Sequence, residues 1–252
     1  MKLLICVPAY GSTVRVETMN SIAVGMIHLQ QQMPHVEIRL FSVDMAEIAR
    51  VRNLFASLAM KDDFDALLMV DSDMGIPPET FARLLASGHE VCGLTYPKRQ
   101  IDLQKFHALA ASGVDFEKAK VQALTFIAAG GFVHDNGQIQ VTEGFLEMRE
   151  LPGGCLLIRT SALHRMWREI PKIRQTAHIS DLEQQMGVEK LIRCFDNVNL
   201  DHTKLSEDLS FCHRWRSING RIFGLVDVPV THCGNMNYEG RYIDLLMATA
   251  KS

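Results

Sequence analysis

The first hundred residues alternate between short apolar runs and longer stretches of helical periodicity, four times over. Residues 2–7 form an apolar run closed by Pro8-Ala9-Tyr10-Gly11 and read as a buried strand with its exit loop. Val16, Met19, Ile22, Ala23, Met26, Ile27 and Met33 recur at helical spacing after a cap from Ser12 or Thr13, and Pro34 stops that helix. Residues 36–43 read as the second strand, ending at Asp44. Ile48, Val51, Phe55 and Leu58 mark one face of a second helix, which carries Arg50, Arg52 and Asn53 early and ends near Lys61. Residues 66–70 are the third strand, Pro77-Pro78 open a third helix through Ala86, and residues 91–95 are the fourth strand. Strands that alternate with helices make a mostly parallel sheet covered on both faces, so an α/β fold is expected. Ligands of such sheets bind beyond the carboxyl ends of the strands. This sequence places Pro8-Ala9-Tyr10, Asp44 and Asp71-Ser72-Asp73 there.

The last of these is the most suggestive. Leu67-Leu68-Met69-Val70 runs straight into Asp71-Ser72-Asp73-Met74-Gly75, a buried strand ending in an acidic lip. In extended chain, residues two apart point the same way, with roughly 6–7 Å of rise between them. Asp71 and Asp73 could share one divalent cation, directly or through water. Mg2+ and Mn2+ favour carboxylate oxygens and keep positions open for substrate phosphates. An Asp-rich turn explains the same residues without a ligand.

Further along, residues 116–123 read as helix, and Asp135-Asn136-Gly137 as a hairpin turn between Phe132-Val133 and Ile139-Gln140-Val141. Gly153-Gly154 lead into the buried strand Cys155-Leu156-Leu157-Ile158, after which Thr160 or Ser161 caps a helix through Glu169. Ser206 caps another helix that begins Glu207-Asp208, carries Leu209, Phe211, Cys212 and Trp215, and closes at Asn219-Gly220. Acidic residues in a first turn complement the helix dipole, which is a structural reason for Glu207 and Asp208. Residues 221–230 read as a last strand ending at Thr231-His232-Cys233-Gly234, and residues 242–250 as an apolar helix. No linker, repeat or low-complexity tract interrupts the chain, so one domain is expected.

Bulk composition narrows the classes. The chain has 252 residues, 47% hydrophobic and 22% charged, enough for a sizeable core. A formal charge of -3 removes the global electrostatic case for nucleic acid or an anionic membrane. Six cysteines without a CxxC pair suit a reducing compartment better than a zinc or disulfide framework, and a cytoplasmic location is expected. The opening apolar run is too short for a signal-peptide core or a membrane span.

Taken in order, the strand-end Pro-Ala-Tyr, Asp44, the Arg52-Asn53 helix, Asp71-Ser72-Asp73, Gly153-Gly154, Glu207-Asp208-Leu209-Ser210-Phe211-Cys212-His213-Arg214 and His232 resemble a GT-A glycosyltransferase. The likeness is to family 2 enzymes and their short stand-alone bacterial and phage relatives. It spans residues 2–234 and is thin over 100–150. The resemblance implies one GT-A-type catalytic domain over 1–252, with residues 1–100 binding a nucleotide sugar and 101–252 the acceptor. It implies that Pro8, Ala9 and Tyr10 wall the nucleobase, Asp44 bonds the base or ribose, and Arg52 and Asn53 help hold the donor. Asp71 would reach the ribose or metal-bound water, Asp73 would ligate the Mn2+ or Mg2+ that bridges the diphosphate, and His232 would be a further metal ligand. Asp208 would be the general base of an inverting transfer, and Glu207 would position it or contact the acceptor. Expected partners are a nucleotide-sugar donor and an acceptor glycan, lipid-linked sugar, protein or modified DNA.

Other readings compete for the same residues. A phosphohydrolase of the haloacid dehalogenase type also uses Asp-x-Asp, normally after the first strand and with Thr or Val two residues beyond the second Asp. A nucleotidyltransferase needs a Gly-rich, Lys-bearing loop after strand one, which is missing here. A non-catalytic nucleotide-sugar or glycan-binding relative is the third rival. His232 is also an ordinary strand-end histidine, and Tyr96-Pro97-Lys98-Arg99 fits a phosphate contact or a solvated loop equally. The basic stretch 159–178, with Trp167, reads as a solvated helix face or a surface for an anionic acceptor such as DNA.

Overall fold

The computed structural model describes residues 1–127, 139–200 and 203–249. In β1 (Lys2–Pro8) the side chains alternate, Leu3, Ile5 and Val7 entering one apolar cluster and Leu4 and Cys6 another on the opposite face. β1 is followed by α1 (Val16–Gln32), β2 (Glu37–Val43), α2 (Ile48–Lys61) and β3 (Ala66–Val70). β1 pairs in parallel with β2 on one side and β3 on the other. α1 contributes Ile22 and Leu29 to the first cluster, and α2 contributes Leu54 and Phe55 to the second. The sheet is therefore covered on both faces, and every residue of β3 is buried.

Next come β4 (Met74–Gly75), α3 (Glu79–Ala86), β5 (Val91–Leu94), β6 (Tyr96–Ile101), α4 (Leu103–Ala111), α5 (Phe116–Gln122) and β7 (Leu124–Ile127). Then follow β8 (Val141–Thr142), β9 (Phe145–Glu147), β10 (Cys155–Arg159), α6 (Thr160–Glu169), β11 (Arg174–Gln175), α7 (Asp181–Gln185) and β12 (Leu191–Ile192). The chain continues through β13 (Asn199–Leu200), β14 (Thr203–Lys204), α8 (Glu207–Ser217), β15 (Phe223–Leu225), β16 (Val230–Cys233), β17 (Asn237–Gly240) and α9 (Tyr242–Thr249).

The central sheet runs β2-β1-β3-β10-β5-β15-β9-β8. β10 lies antiparallel between β3 and β5, and β9 antiparallel to β15, so the sheet is mostly parallel with reversed strands let in. This is the α/β architecture expected. A second small sheet, β17-β16-β4, stands at the carboxyl end of β3, and β6 pairs with β7 beside it.

Several local expectations change. The N-cap of α1 is Arg15, and Ser12, at φ 55°, sits instead in a 3-10 turn over Tyr10–Ser12. The buried stripe of α1 is Thr18, Ile22, Gly25 and Leu29, whereas Val16, Met19 and Ile27 are exposed. Gly25 sets that rotation, because a Cβ there would meet the Phe81 ring of α3 at 2.7 Å. α6 is capped by Arg159, with Thr160 already its first helical residue. Residues 221–230 are not one strand. Asp227 is held by both Arg83 Nη atoms at 2.9 Å, and Pro229 has no N–H for a ladder, so the chain bends between β15 and β16. The hairpin turn at 135–137 lies outside the described residues. No helix among the described residues is long and apolar enough to cross a membrane.

Candidate functional site

Asp71 directly follows β3, and its N–H donates to Gly154 O at 2.9 Å. Beneath it lies Arg52 of α2, 2% exposed. Arg52 Nη2 donates to both Asp71 oxygens, at 2.9 and 3.1 Å, and Nη1 donates to Glu207 Oε1 at 2.7 Å. One guanidinium thus ties the end of a central strand to the first turn of α8. Burial penalises the Arg52 charge, but Asp71, Glu207 and Asp208 outweigh that and hold its pKa above the ordinary value. Burial pushes the Glu207 carboxyl up, with Arg52 opposing.

Gly153 and Gly154 form the spine of the site. Gly153 N–H donates to Asp208 Oδ2 at 3.1 Å, and Gly154 N–H donates to the Tyr96 hydroxyl at 3.0 Å. A Cβ on Gly153 would overlap the Arg52 guanidinium, and one on Gly154 would come within 2.5 Å of Tyr96 Cζ. No side chain is tolerated at either position, a requirement the sequence shows only as a Gly pair before a strand. Asp208 Oδ1 takes further bonds from Ser206 Oγ and from Leu209 N–H at 2.8 Å. Ser206 is the expected N-cap residue, but its hydroxyl serves Asp208 rather than a backbone N–H.

The small sheet brings the distal histidine to the acidic turn. β16 pairs His232 opposite Met74, and Cys233 N–H donates to Asp73 O at 2.8 Å. His232 Nδ1 lies 2.9 Å from Pro97 O, which can only accept, so Nδ1 carries the proton. Nε2 then presents its lone pair 3.7 Å from Asp73 Oδ2. Burial lowers the His232 pKa, which keeps the ring in that neutral form. Arg99 Nη2 lies against the same Asp73 oxygen. Among the described residues no group of three or more His, Cys, Asp or Glu is arranged around a common metal position.

These residues line a cleft of about 550 Å³ at the carboxyl end of β3. Of the sequence candidates, Arg52, Asp71, Asp73, Glu207, Asp208 and His232 all face it. Tyr96, Lys98 and Arg99 join them. The exit loop of β1 runs alongside, with Arg15 N–H donating to Ser72 O at 2.9 Å. Tyr10 on that loop is 69% exposed, while Pro8 and Ala9 are buried at the strand end. Asp44 holds the loop in shape: Oδ1 accepts from Gly11 N–H at 2.8 Å and Oδ2 from Ser12 Oγ at 2.6 Å.

Asn53 does not reach the cleft. Its Oδ1 accepts from Phe195 N–H at 2.8 Å and its Nδ2 donates to Asp196 Oδ1 at 2.7 Å, so both ends of this buried amide pin the loop before β13. A helix turns about 100° per residue, and Arg52 and Asn53 accordingly face different ways. Three of the arginines of 159–178 are engaged internally. Arg159 donates to Leu85 O at 2.5 Å, Arg165 to Ile218 O, and Arg174 to Trp167 O and to Arg168 O at 2.6 Å. These three arginines form carbonyl clamps, while Arg168 and Lys172 are exposed. The acidic pair follows the third strand, not the first, so the haloacid dehalogenase arrangement is not built.

No protein-family model and no curated protein matches the sequence. Among solved structures the chain is similar to A197 from STIV, at 12% identity over 93% of this chain and 87% of that one, with a TM-score of 0.45. It is also similar to a UDP-glucose pyrophosphorylase complexed with UDP-glucose, at 7% identity over 100% and 99% of the chains and a TM-score of 0.41. The Q189E active-site mutant of LgtC aligns at 12% identity over 75% and 70%, with a TM-score of 0.26.

Proposed function

We propose that the protein is a metal-dependent glycosyltransferase that moves a sugar from a nucleotide-diphosphate sugar to an acceptor hydroxyl, with inversion at the anomeric carbon. The observation that carries this reading is the convergence of Asp71, Asp73, Glu207, Asp208 and His232 in one cleft, from three distant parts of the chain. One acidic group lies beside an imidazole lone pair and basic residues, and a second stands at the start of α8. That separation is what transfer from a diphosphate leaving group requires.

The donor set at Asp73 and His232 fits a hard divalent cation. One carboxylate oxygen and one imidazole nitrogen, 3.7 Å apart, leave the remaining positions to phosphate and water. Mn2+ or Mg2+ held there would neutralise the charge growing on the departing diphosphate. Asp71, fixed by Arg52, would orient the ribose. Tyr10 would stack on the nucleobase from the exposed loop over Pro8 and Ala9. Asp44 fixes that loop and keeps a second lone pair on each oxygen for the base or ribose.

At the acceptor side, Asp208 takes the hydroxyl proton as the oxygen attacks the anomeric carbon and the diphosphate leaves with the bonding electrons. Gly153, Ser206 and Leu209 donors aim its carboxylate, and Glu207, its chain neighbour, is held by Arg52 and would position it or contact the acceptor. A cytoplasmic setting and a glycan, lipid-linked sugar or protein acceptor are consistent with this reading.

A thermal-shift screen of nucleoside diphosphates and nucleotide sugars, with and without Mn2+, tests it. A ligand at about a hundred times its Kd adds roughly 2.7 kcal/mol. One base should give a Mn2+-dependent shift that Asp73→Ala removes. No shift with any nucleotide, or an undiminished shift in Asp73→Ala, refutes the assignment.

A further inference from the structure

Arg99 reaches Asp73 through an irregularity in its strand. Between the Pro97–Phe126 and Ile101–Leu124 pairs, β6 spends three residues where β7 spends one. The surplus throws Lys98, Arg99 and Gln100 out of the ladder and into the cleft, a common use of a bulge beside a functional site. The Arg99 stem then lies over Gly234, where a Cβ would come within 2.9 Å of Arg99 Cδ. The guanidinium ends on Asp73 Oδ2, the oxygen His232 Nε2 also faces. Bulge, glycine and carboxylate together place a permanent cation where a divalent one fits.

We propose that Arg99 is an exchangeable counter-ion of Asp73, which competes with the divalent cation and passes to the donor diphosphate when cation and nucleotide enter together. This rests on the transferase reading of the cleft. The charge balance supports it. Asp71, Asp73, Glu207 and Asp208 set four negative charges against the three positive charges of Arg52, Lys98 and Arg99. Arg52 is buried and committed to Asp71 and Glu207. Arg99 is the more exposed partner of its pair, with its side chain 46% exposed against 24% for Asp73. A half-exposed pair is weak enough to exchange, and a long arginine stem reaches a neighbouring phosphate and binds it bidentately. Cation alone then binds poorly, because it must displace Arg99 with nothing to receive it. Cation with diphosphate binds well, because the diphosphate takes the released guanidinium.

Calorimetric titration with Mn2+ alone, and with inorganic pyrophosphate in the presence of Mn2+, tests this in the wild type, Arg99→Gln and Gly234→Ala. Gly234→Ala displaces the Arg99 stem without changing any charge. Arg99→Gln should bind Mn2+ alone more tightly, by up to about fivefold, the scale of one partly exposed ion pair. Gly234→Ala should shift the same way. Pyrophosphate binding should weaken in Arg99→Gln, an opposite effect that a merely structural residue would not give. Mn2+ affinity unchanged or weakened in both variants overturns the proposal, and so does an absence of Mn2+ binding in all three proteins. Tighter Mn2+ and weaker pyrophosphate binding in Arg99→Gln, with no nucleotide sugar bound by the wild type, would leave the counter-ion standing and remove the glycosyltransferase reading instead.

Discussion

Arg52→Met separates a scaffolding arginine from a solvated one. The substitution keeps an unbranched apolar stem in the core and removes the fork that joins Asp71 to Glu207. At an effective dielectric near 20, a unit pair 4 Å apart is worth about 4 kcal/mol, so two partners give a gross attraction of about 8 kcal/mol. Desolvating the buried guanidinium returns several kcal/mol of this. Removing one member of a buried pair costs about 3–5 kcal/mol, since the partners stay behind unpaired. Here the side chains of Asp71 and Glu207 are 27% and 17% exposed, so water relieves part of the strain and the low end applies. A loss of about 3 kcal/mol corresponds to roughly 6–12 °C in Tm for a chain this long. Urea unfolding followed by the fluorescence of buried Trp215 measures it.

The pH dependence of that loss identifies its source. Burial already raises the Glu207 pKa in the folded protein, and without Arg52 it rises further. A carboxyl with a raised folded pKa favours the folded state at low pH, and that contribution fades as pH climbs through the folded pKa. The gap between Arg52→Met and wild type must therefore narrow on acidification from pH 7. A loss below about 1 kcal/mol at pH 7 would refute the bridging role, as would a gap that widens in acid.

Two further predictions concern the base and the fold. Asp208→Asn should lower sugar transfer by about 10²–10⁴-fold while leaving Mn2+-dependent donor binding intact; wild-type transfer in that variant, with the loss appearing in Glu207→Gln instead, would move the base to Glu207. His89 stacks on Phe223 at 3.7 Å between ring centroids, and burial lowers its pKa, so its contribution to stability is present above about pH 6.5 and is lost as pH falls. His89→Phe should flatten the fall in urea midpoint between pH 7.5 and 5.5, and identical slopes for the two proteins would refute this.

What the sequence alone determined was the alternation that builds β1, α1, β2, α2 and β3, because apolar period and turn chemistry are local properties. It placed Asp71 and Asp73 at a strand end for the same reason, and it put Asp208 in the first turn of a helix behind Ser206, a place the helix dipole explains without any chemistry. The direction of β10 was not legible. A fully buried run such as Cys155-Leu156-Leu157-Ile158 has the same composition in a parallel or an antiparallel neighbour, and only the return path of the chain decides between them. The fates of Arg52 and Asn53 were equally hidden. Adjacent on one helix, they differ because one meets Asp71 and Glu207 and the other meets the loop at Phe195 and Asp196. The bulge that turns Arg99 onto Asp73, and the glycines at 153, 154 and 234 that leave room for Arg52, Tyr96 and Arg99, belong to the same class. Each depends on which distant side chain arrives, and contacts between residues far apart in the chain are set by packing, which only the folded chain specifies.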